Sequence, residues 1–204
     1  MQRFLLTIDK ISTWFGQLFA WTIVALTALI GFEVVSRYVF NSPHPWVFDG
    51  QMMLYGVMFM MAGAYTLAKN GHVRGDVLYG FFTPRTQAFF DLILYVVFFI
   101  PGVLALAWAG YTFAAESLAI REHSSVMADG PPIYPFKAFI PLAGALLLLQ
   151  GFAEIVRCVL CLRDGHWPNR QEDVEEVDVE KLKAMVSSDG ATSNVGPVSA
   201  AGER

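Results

Sequence analysis

Long apolar stretches separated by short polar connections dominate the sequence. Charge-free runs occupy residues 11–32, 50–68, 92–115 and 138–153. A spanning helix needs about 20 mostly apolar residues, because the hydrocarbon layer is roughly 30 Å thick and each residue rises about 1.5 Å. The pattern therefore predicts an all-α integral membrane protein. Its four transmembrane helices are expected at about residues 11–36, 50–68, 89–115 and 133–159.

The fourth run is short and needs help from the charged residues that flank it. Lys137 can extend its amine to the membrane surface at one end, and Glu154 and Arg157 can form an i,i+3 ion pair at the other. Pro101 and Pro141 fall inside predicted spans, where neighbouring groups can satisfy the carbonyl that each proline leaves without a donor. We expect a kink at each proline.

Small residues recur one or two helical turns apart in the second and fourth spans. They are Gly56 and Gly63, and Gly144 and Gly151. Such spacing permits close approach of two helices, although it is also ordinary glycine use in membrane helices.

Lysine and arginine near the span ends predict the orientation, because cytoplasmic loops carry the excess of these residues. One side would hold Arg3, Lys10, Lys69, Arg74, Arg85, Arg157 and Arg163. The opposite side would hold Arg37, Arg121 and Lys137. Both termini are thus expected in the cytoplasm, with loops 37–49 and 116–132 outside.

The composition changes after the fourth span. Residues 171–180 are dense in Asp and Glu, and residues 187–204 are rich in Ser, Gly and Ala. Such a segment buries too little apolar surface to offset its ordering entropy. We predict a transmembrane domain at residues 1–167 and a disordered, acidic cytoplasmic tail at residues 168–204. No cluster of Lys and Arg suits nucleic acid.

The sequence contains no motif of a known catalytic centre. Cys158 and Cys161 are one helical turn apart, but a structural zinc needs about four ligands and only His166 is near in sequence. A metal or redox role and a plain helix position both fit this pair. Haem is disfavoured, because all four histidines fall in predicted loops or the tail. We expect no enzyme activity and no cofactor.

Glu33 ends the first predicted span, and Arg37 follows four residues later on the same helix face. Glu33 could be the coupling carboxylate of a small exporter. The pair could instead close the helix as an i,i+4 ion pair facing a partner. The second interpretation is favoured, because a coupling carboxylate would be expected deeper and without a cation one turn away.

His72, Arg74 and Asp76 alternate in the connection after the second span, so they would share one face of an extended segment. They could form a metal or substrate site. A loop that pins itself to a neighbour uses the same residues, since Arg clamps a carboxylate and Asp caps a helix.

Taken together, these elements resemble the small membrane subunit, or Q subunit, of tripartite ATP-independent periplasmic (TRAP) transporters. The resemblance covers about residues 10–160. It rests on Arg37-Tyr38-Val39-Phe40-Asn41, then Trp46, Asp49, Gly63-Ala64, His72-x-Arg74-x-Asp76 and Pro84-Arg85. The family commonly has two acids after the tryptophan, whereas Asp49 is the one acid here.

The resemblance implies an accessory role in the bacterial inner membrane. A large membrane subunit would hold the substrate and sodium sites, and a periplasmic binding protein would deliver an organic acid. The small subunit would brace the large one, among membrane lipids. Its candidate structural or interface residues are Glu33, Arg37, Trp46, Asp49, Gly63, His72, Arg74 and Asp76.

Two other functions remain open from the sequence. The chain could be a self-sufficient exporter that uses Glu33, which should then transport when expressed alone. It could also be the membrane anchor of an enzyme complex, which should then copurify with a chromophore or metal.

Overall fold

The computed structural model describes residues 2–71, 81–126 and 130–168. Its helices are α1 (Gln2–Ala20), α2 (Thr22–Tyr38), α3 (Trp46–Ala68), α4 (Pro84–Leu94), α5 (Ile100–Ala119), α6 (Tyr134–Lys137) and α7 (Phe139–Asp164). A π-helical turn, Tyr95–Phe99, joins α4 to α5. Four helical segments are long and apolar enough to cross a membrane, namely Gln2–Tyr38, Trp46–Ala68, Pro84–Ala119 and Tyr134–Asp164. The predicted all-α class with four spans is confirmed.

The first and third segments are longer than the predicted spans. They contain 37 and 36 residues, or roughly 55 Å of helix against a hydrocarbon layer of about 30 Å. The prediction stopped at charged residues, but the first helix continues through Asp9 because this carboxylate has a buried partner. The second segment likewise begins four residues before its charge-free run, since Asp49 is hydrogen-bonded.

Both prolines inside the spans coincide with irregular helix. Pro101 has no N–H to donate, and the π-helical turn directly precedes it, with the Ile100 amide bonded to the Tyr95 carbonyl. Pro141 has no N–H to donate to the carbonyl of Lys137, four residues earlier in the chain. Helix α6 ends at Lys137. A third break, at Trp21 between α1 and α2, has no proline and was not predicted.

Helix α7 is the central element of the bundle and contacts α1, α3, α4 and α5. Segment α1–α2 runs antiparallel to α3, since Gly16 lies against Tyr65 whereas Gly50 lies against Leu29. Segment α4–α5 runs antiparallel to α7 in the same way. The start of α1 and the end of α7 therefore lie at one end of the bundle, here called the terminal end. Connections 39–45 and 120–133 lie at the opposite, loop end.

The buried apolar residues form three clusters along this arrangement. The largest joins α3 to α7 through Val57, Met61, Ala64, Ala143 and Leu146. A second joins α1 to α7, and a third joins α4 to α7. Large apolar side chains also cover the outer faces, as expected where the surroundings are lipid or another subunit.

Three of the four recurring glycines lie at close helix contacts. A Cβ on Gly56 would approach the Phe136 ring to 2.7 Å, one on Gly144 would approach the Ala107 Cβ to 3.0 Å, and one on Gly151 would overlap the Phe99 ring. At Gly63 the nearest atom, on Leu147, would be 3.5 Å away, which is an ordinary contact. The small residues at positions 56, 144 and 151 thus permit close packing.

Cys158 and Cys161 belong to the cluster between α4 and α7, where both side chains are almost fully buried beside Ala88. The Cys161 thiol lies 3.5 Å from the Pro84 carbonyl oxygen. Among the described residues, no group of three or more His, Cys, Asp or Glu side chains could hold a metal ion. Both cysteines pack against Ala88 in the cluster between α4 and α7.

Candidate functional site

A buried ion network joins α1 to α7 near the terminal end. The Arg157 guanidinium donates to Asp9 and, at 2.5 Å, to Glu154. The exposed fractions of these three side chains are 1%, 4% and 1%. Removing such charges from water costs several kcal/mol for each ion, so they are tolerated only when they neutralise one another.

Two neutral side chains extend this network. The Gln150 amide donates to Asp9 at 2.9 Å and to Glu154 at 3.3 Å, while its oxygen accepts from the Ser12 hydroxyl at 2.9 Å. Gln150 and Ser12 are fully buried. Asp9 and Ser12 on α1 are thereby fixed to three residues that share one face of α7.

The sequence indicated part of this network. It predicted the Glu154–Arg157 pair, which the structure contains, but it missed Asp9, Ser12 and Gln150. A signal was present, because Asp9 and Ser12 are three residues apart, and Gln150 lies four residues before Glu154. Each spacing places polar groups on one helix face.

Glu33 and Arg37 form the expected ion pair at the loop end. The Arg37 Nη2 atom lies 2.8 Å from the Glu33 carboxylate. Glu33 also accepts the backbone N–H of His44 through both oxygens, at 3.2 Å each. His44 lies two residues before the first residue of α3. The buried Glu33 carboxylate therefore connects the end of α2 to the start of α3.

His44 completes this connection through a second bond. The Ser36 hydroxyl donates to the Ser42 carbonyl at 2.7 Å and lies 3.2 Å from the His44 Nδ1 atom. The Ser36 hydroxyl thus lies within hydrogen-bond distance of both the Ser42 carbonyl and the His44 imidazole, and it links the end of α2 to the 39–45 connection. The imidazole is also in contact with Phe32 and with the candidate residue Trp46, which is half-exposed at the first position of α3.

Asp49 lies in the first turn of α3 and is buried. It accepts a 2.8 Å hydrogen bond from Ser124, which belongs to the 120–133 connection. A carboxylate in the first turn of a helix is favoured by the positive end of the helix dipole. Asp49 therefore holds the 120–133 connection against α3, a contact that the sequence alone did not identify.

Lys137 has partners that the sequence did not indicate. Its amine is buried, pairs with Glu122 and lies 3.9 Å from the centre of the Phe113 ring. The hydrogen bond from Lys137, followed by one from Ser117, lowers the pKa of the Glu122 carboxyl. The pair fixes the 120–133 connection to the short helix α6.

The structure does not bring all of the sequence candidates together. Gly63 lies in the second half of α3 and faces Leu147 of α7. His72, Arg74 and Asp76 lie outside the described residues, so their common face remains a prediction. The same holds for the tail beyond residue 168.

The described polar groups thus connect helices and loops at both ends of a four-span bundle. The family profile for the DctQ component of tripartite ATP-independent periplasmic transporters matches residues 26–161. The chain belongs to this family. No curated protein matches the chain closely enough to count as a relative.

Membership in the DctQ family makes this chain the small membrane component of a TRAP transporter. The match includes all of α3, α4, α5 and α6 and most of α2 and α7. A DctQ protein is a transporter component and not an enzyme, and a tripartite system implies two partners, a large membrane subunit and a substrate-binding protein. The sequence-based resemblance is therefore confirmed at the level of the family.

Proposed function

We propose that this DctQ chain is an accessory scaffold that braces the large subunit of a sodium-driven importer of an organic acid. It would lie in the bacterial inner membrane with both termini in the cytoplasm. The large subunit would carry the substrate and sodium sites, and the periplasmic binding protein would deliver the substrate.

One observation carries the scaffold role, namely that the buried charges connect separate parts of this chain. Arg157 pairs with two carboxylates from two helices, and Glu33 accepts the backbone N–H of His44 just before α3. A transport site must instead bind and release its ion or substrate repeatedly. Bonds that span 148 and 11 positions of the chain favour a rigid support.

The same geometry argues against a self-sufficient exporter. Its coupling carboxylate would have to exchange a proton or cation during each cycle. Glu33 is occupied by the Arg37 guanidinium and the His44 amide, so its release would open the junction between α2 and α3.

Reconstitution tests the accessory role. Proteoliposomes that contain this chain alone should show no sodium-driven uptake of organic acids. Vesicles with the large subunit, this chain and the binding protein should show uptake, and omission of this chain should abolish it. Transport by the purified chain alone would contradict the proposal and favour the exporter.

A separate experiment tests the orientation. Reporter fusions at residue 5 and residue 170 should both give a cytoplasmic signal. A periplasmic signal at just one of these positions would contradict a four-span arrangement in the membrane.

A further inference from the structure

An open cavity of about 380 Å³ lies between α2 and α3 at the loop end. Its polar lining is gathered around Arg37, with Glu33, Tyr38, His44 and Gln51 nearby. The rest is apolar and includes Ile30, Val34 and Phe48. No function assigned so far uses this cavity.

The polar part of the cavity presents the cation of an ion pair. Glu33 and Arg37 neutralise each other, and the Asp49 carboxylate in the first turn of α3 offsets the positive end of that helix dipole. Glu33 is buried, whereas the Arg37 side chain is 56% exposed. The positive member of the pair therefore faces outward.

Arg37 has donors to spare for an anion. Its Nε and Nη2 atoms bond to Glu33, and Nη1 forms no hydrogen bond within the described part of the chain. A guanidinium matches the paired oxygens of a phosphate group. The Tyr38 hydroxyl and the Gln51 amide line the same cavity and can donate to further oxygens.

The apolar lining of the cavity favours a membrane ligand over a soluble one. Ile30, Val34 and Phe48 are about half-exposed, and they belong to segments that cross the membrane. At this depth an exposed apolar face meets lipid hydrocarbon or the apolar surface of another subunit. A ligand that fills both parts must be amphipathic, with its charged group at the span end and a hydrocarbon chain along α2.

We propose that this cavity binds one membrane phospholipid, with its phosphodiester on Arg37 and an acyl chain against Ile30, Val34 and Phe48. The inference does not depend on the transported substrate or on the scaffold role. It assigns Arg37 two functions, since one edge of its guanidinium holds Glu33 and the remaining donors hold the lipid.

Native mass spectrometry of the full-length purified chain, titrated with defined ligands in neutral detergent, tests the proposal. Phosphatidylglycerol should bind as a single tight copy. Diacylglycerol with the same chains, which lacks the phosphate, should bind about tenfold more weakly or worse, and so should glycerol 3-phosphate, which lacks the chains. Equal affinity for glycerol 3-phosphate would reveal a soluble-anion site and overturn the proposal.

Two variants test the polar part and the apolar part of the cavity separately. Arg37→Gln should weaken phosphatidylglycerol binding about tenfold, with Arg37→Lys in between. Since Arg37→Gln also leaves Glu33 without its cation, Val34→Trp provides the second test, because it fills the apolar part and keeps the ion pair. Undiminished binding in both Arg37→Gln and Val34→Trp would refute the site.

Arg163→Gln is the matched control. It removes the same charge from an exposed side chain at the terminal end and should leave the tight copy in place. The assembled transporter supplies the last comparison. Loss of the lipid on addition of the large subunit would assign the cavity to the subunit interface and contradict the proposal, whereas retention supports it.

Discussion

Arg157 of α7 and Asp9 of α1 form a buried ion pair between residues 148 positions apart in the chain. The helix that begins the protein is thereby fixed to the helix that ends its membrane domain. Gln150 also donates to Asp9, and Arg157 also donates to Glu154. The loss of one charged member therefore leaves an unpaired charge in a buried environment.

Replacement of Arg157 by alanine should strongly destabilise the bundle. Removing one member of a buried ion pair typically costs about 3–5 kcal/mol, and here two carboxylates would lose their cation. Thermal unfolding of the purified chain in detergent measures the effect. Arg163→Ala removes an arginine whose partner is exposed Asp164 and should cost under about 1 kcal/mol. Equal losses of stability in Arg157→Ala and Arg163→Ala would show that the buried network stabilises the bundle no more than an exposed ion pair does.

The Glu122–Lys137 pair predicts a loss of stability in acid. The pKa of Glu122 is lower in the folded protein than its ordinary value of 4.5. The pair therefore stabilises the fold at pH values above the unfolded pKa, and this contribution disappears as the pH falls through the lowered folded pKa.

Unfolding temperatures measured from pH 7 down to pH 3 should fall less steeply in Glu122→Gln than in the original chain. At neutral pH the variant should be the less stable of the two. Parallel curves would mean that Glu122 contributes nothing to the acid response.

Gly144→Ala should destabilise the contact between α5 and α7. The new Cβ would lie 3.0 Å from the Ala107 Cβ and 3.1 Å from its Cα, and neither atom belongs to a flexible side-chain end. Overpacking of this kind costs about 1–3 kcal/mol. Gly31→Ala is the control, since nothing lies within 4 Å of its Cβ position, and alanine favours helix by about 1 kcal/mol. The unfolding temperature should fall for the first variant and hold or rise for the second.

Arg74→Ala tests the interpretation of the His72-x-Arg74-x-Asp76 sequence as a connection that fixes neighbouring spans or the large subunit. We expect a lower yield of assembled complex after detergent extraction, since a shielded charged pair loses a member. Arg74→Lys should restore the yield in part, because an ammonium lacks the planar fork. The KM of the remaining complex should stay near its original value. A normal yield with a tenfold change in KM would place the loop in the transport site.

The number of spans was predictable because it follows from apolar length alone. The span ends were not, since they depend on partners distant in sequence. Asp9 looks like the end of a membrane helix until Arg157 is placed beside it, and Asp49 looks exposed until Ser124 reaches it. Local pairs such as Glu33–Arg37 were accessible, because four residues on a helix define a fixed separation.

The position of Lys137 illustrates the same limit at the loop end. A lysine beside a span suggests an amine that extends to water. Its actual surroundings, Glu122 and Phe113, come from the preceding connection and from α5. Sequence spacing contains no information on how such a connection folds back, so the buried pair had to be read from the structure.

The burial of Cys158 and Cys161 has a practical consequence for studying the transporter in motion. Maleimide and spin-label reagents react with thiolates that they can reach, and both native thiols lie inside the contact between α4 and α7. A cysteine introduced at exposed Val39 or Ile120 should therefore take up a fluorophore selectively in the unmodified background. The native cysteines should therefore add little background to distance measurements between this chain and the large subunit.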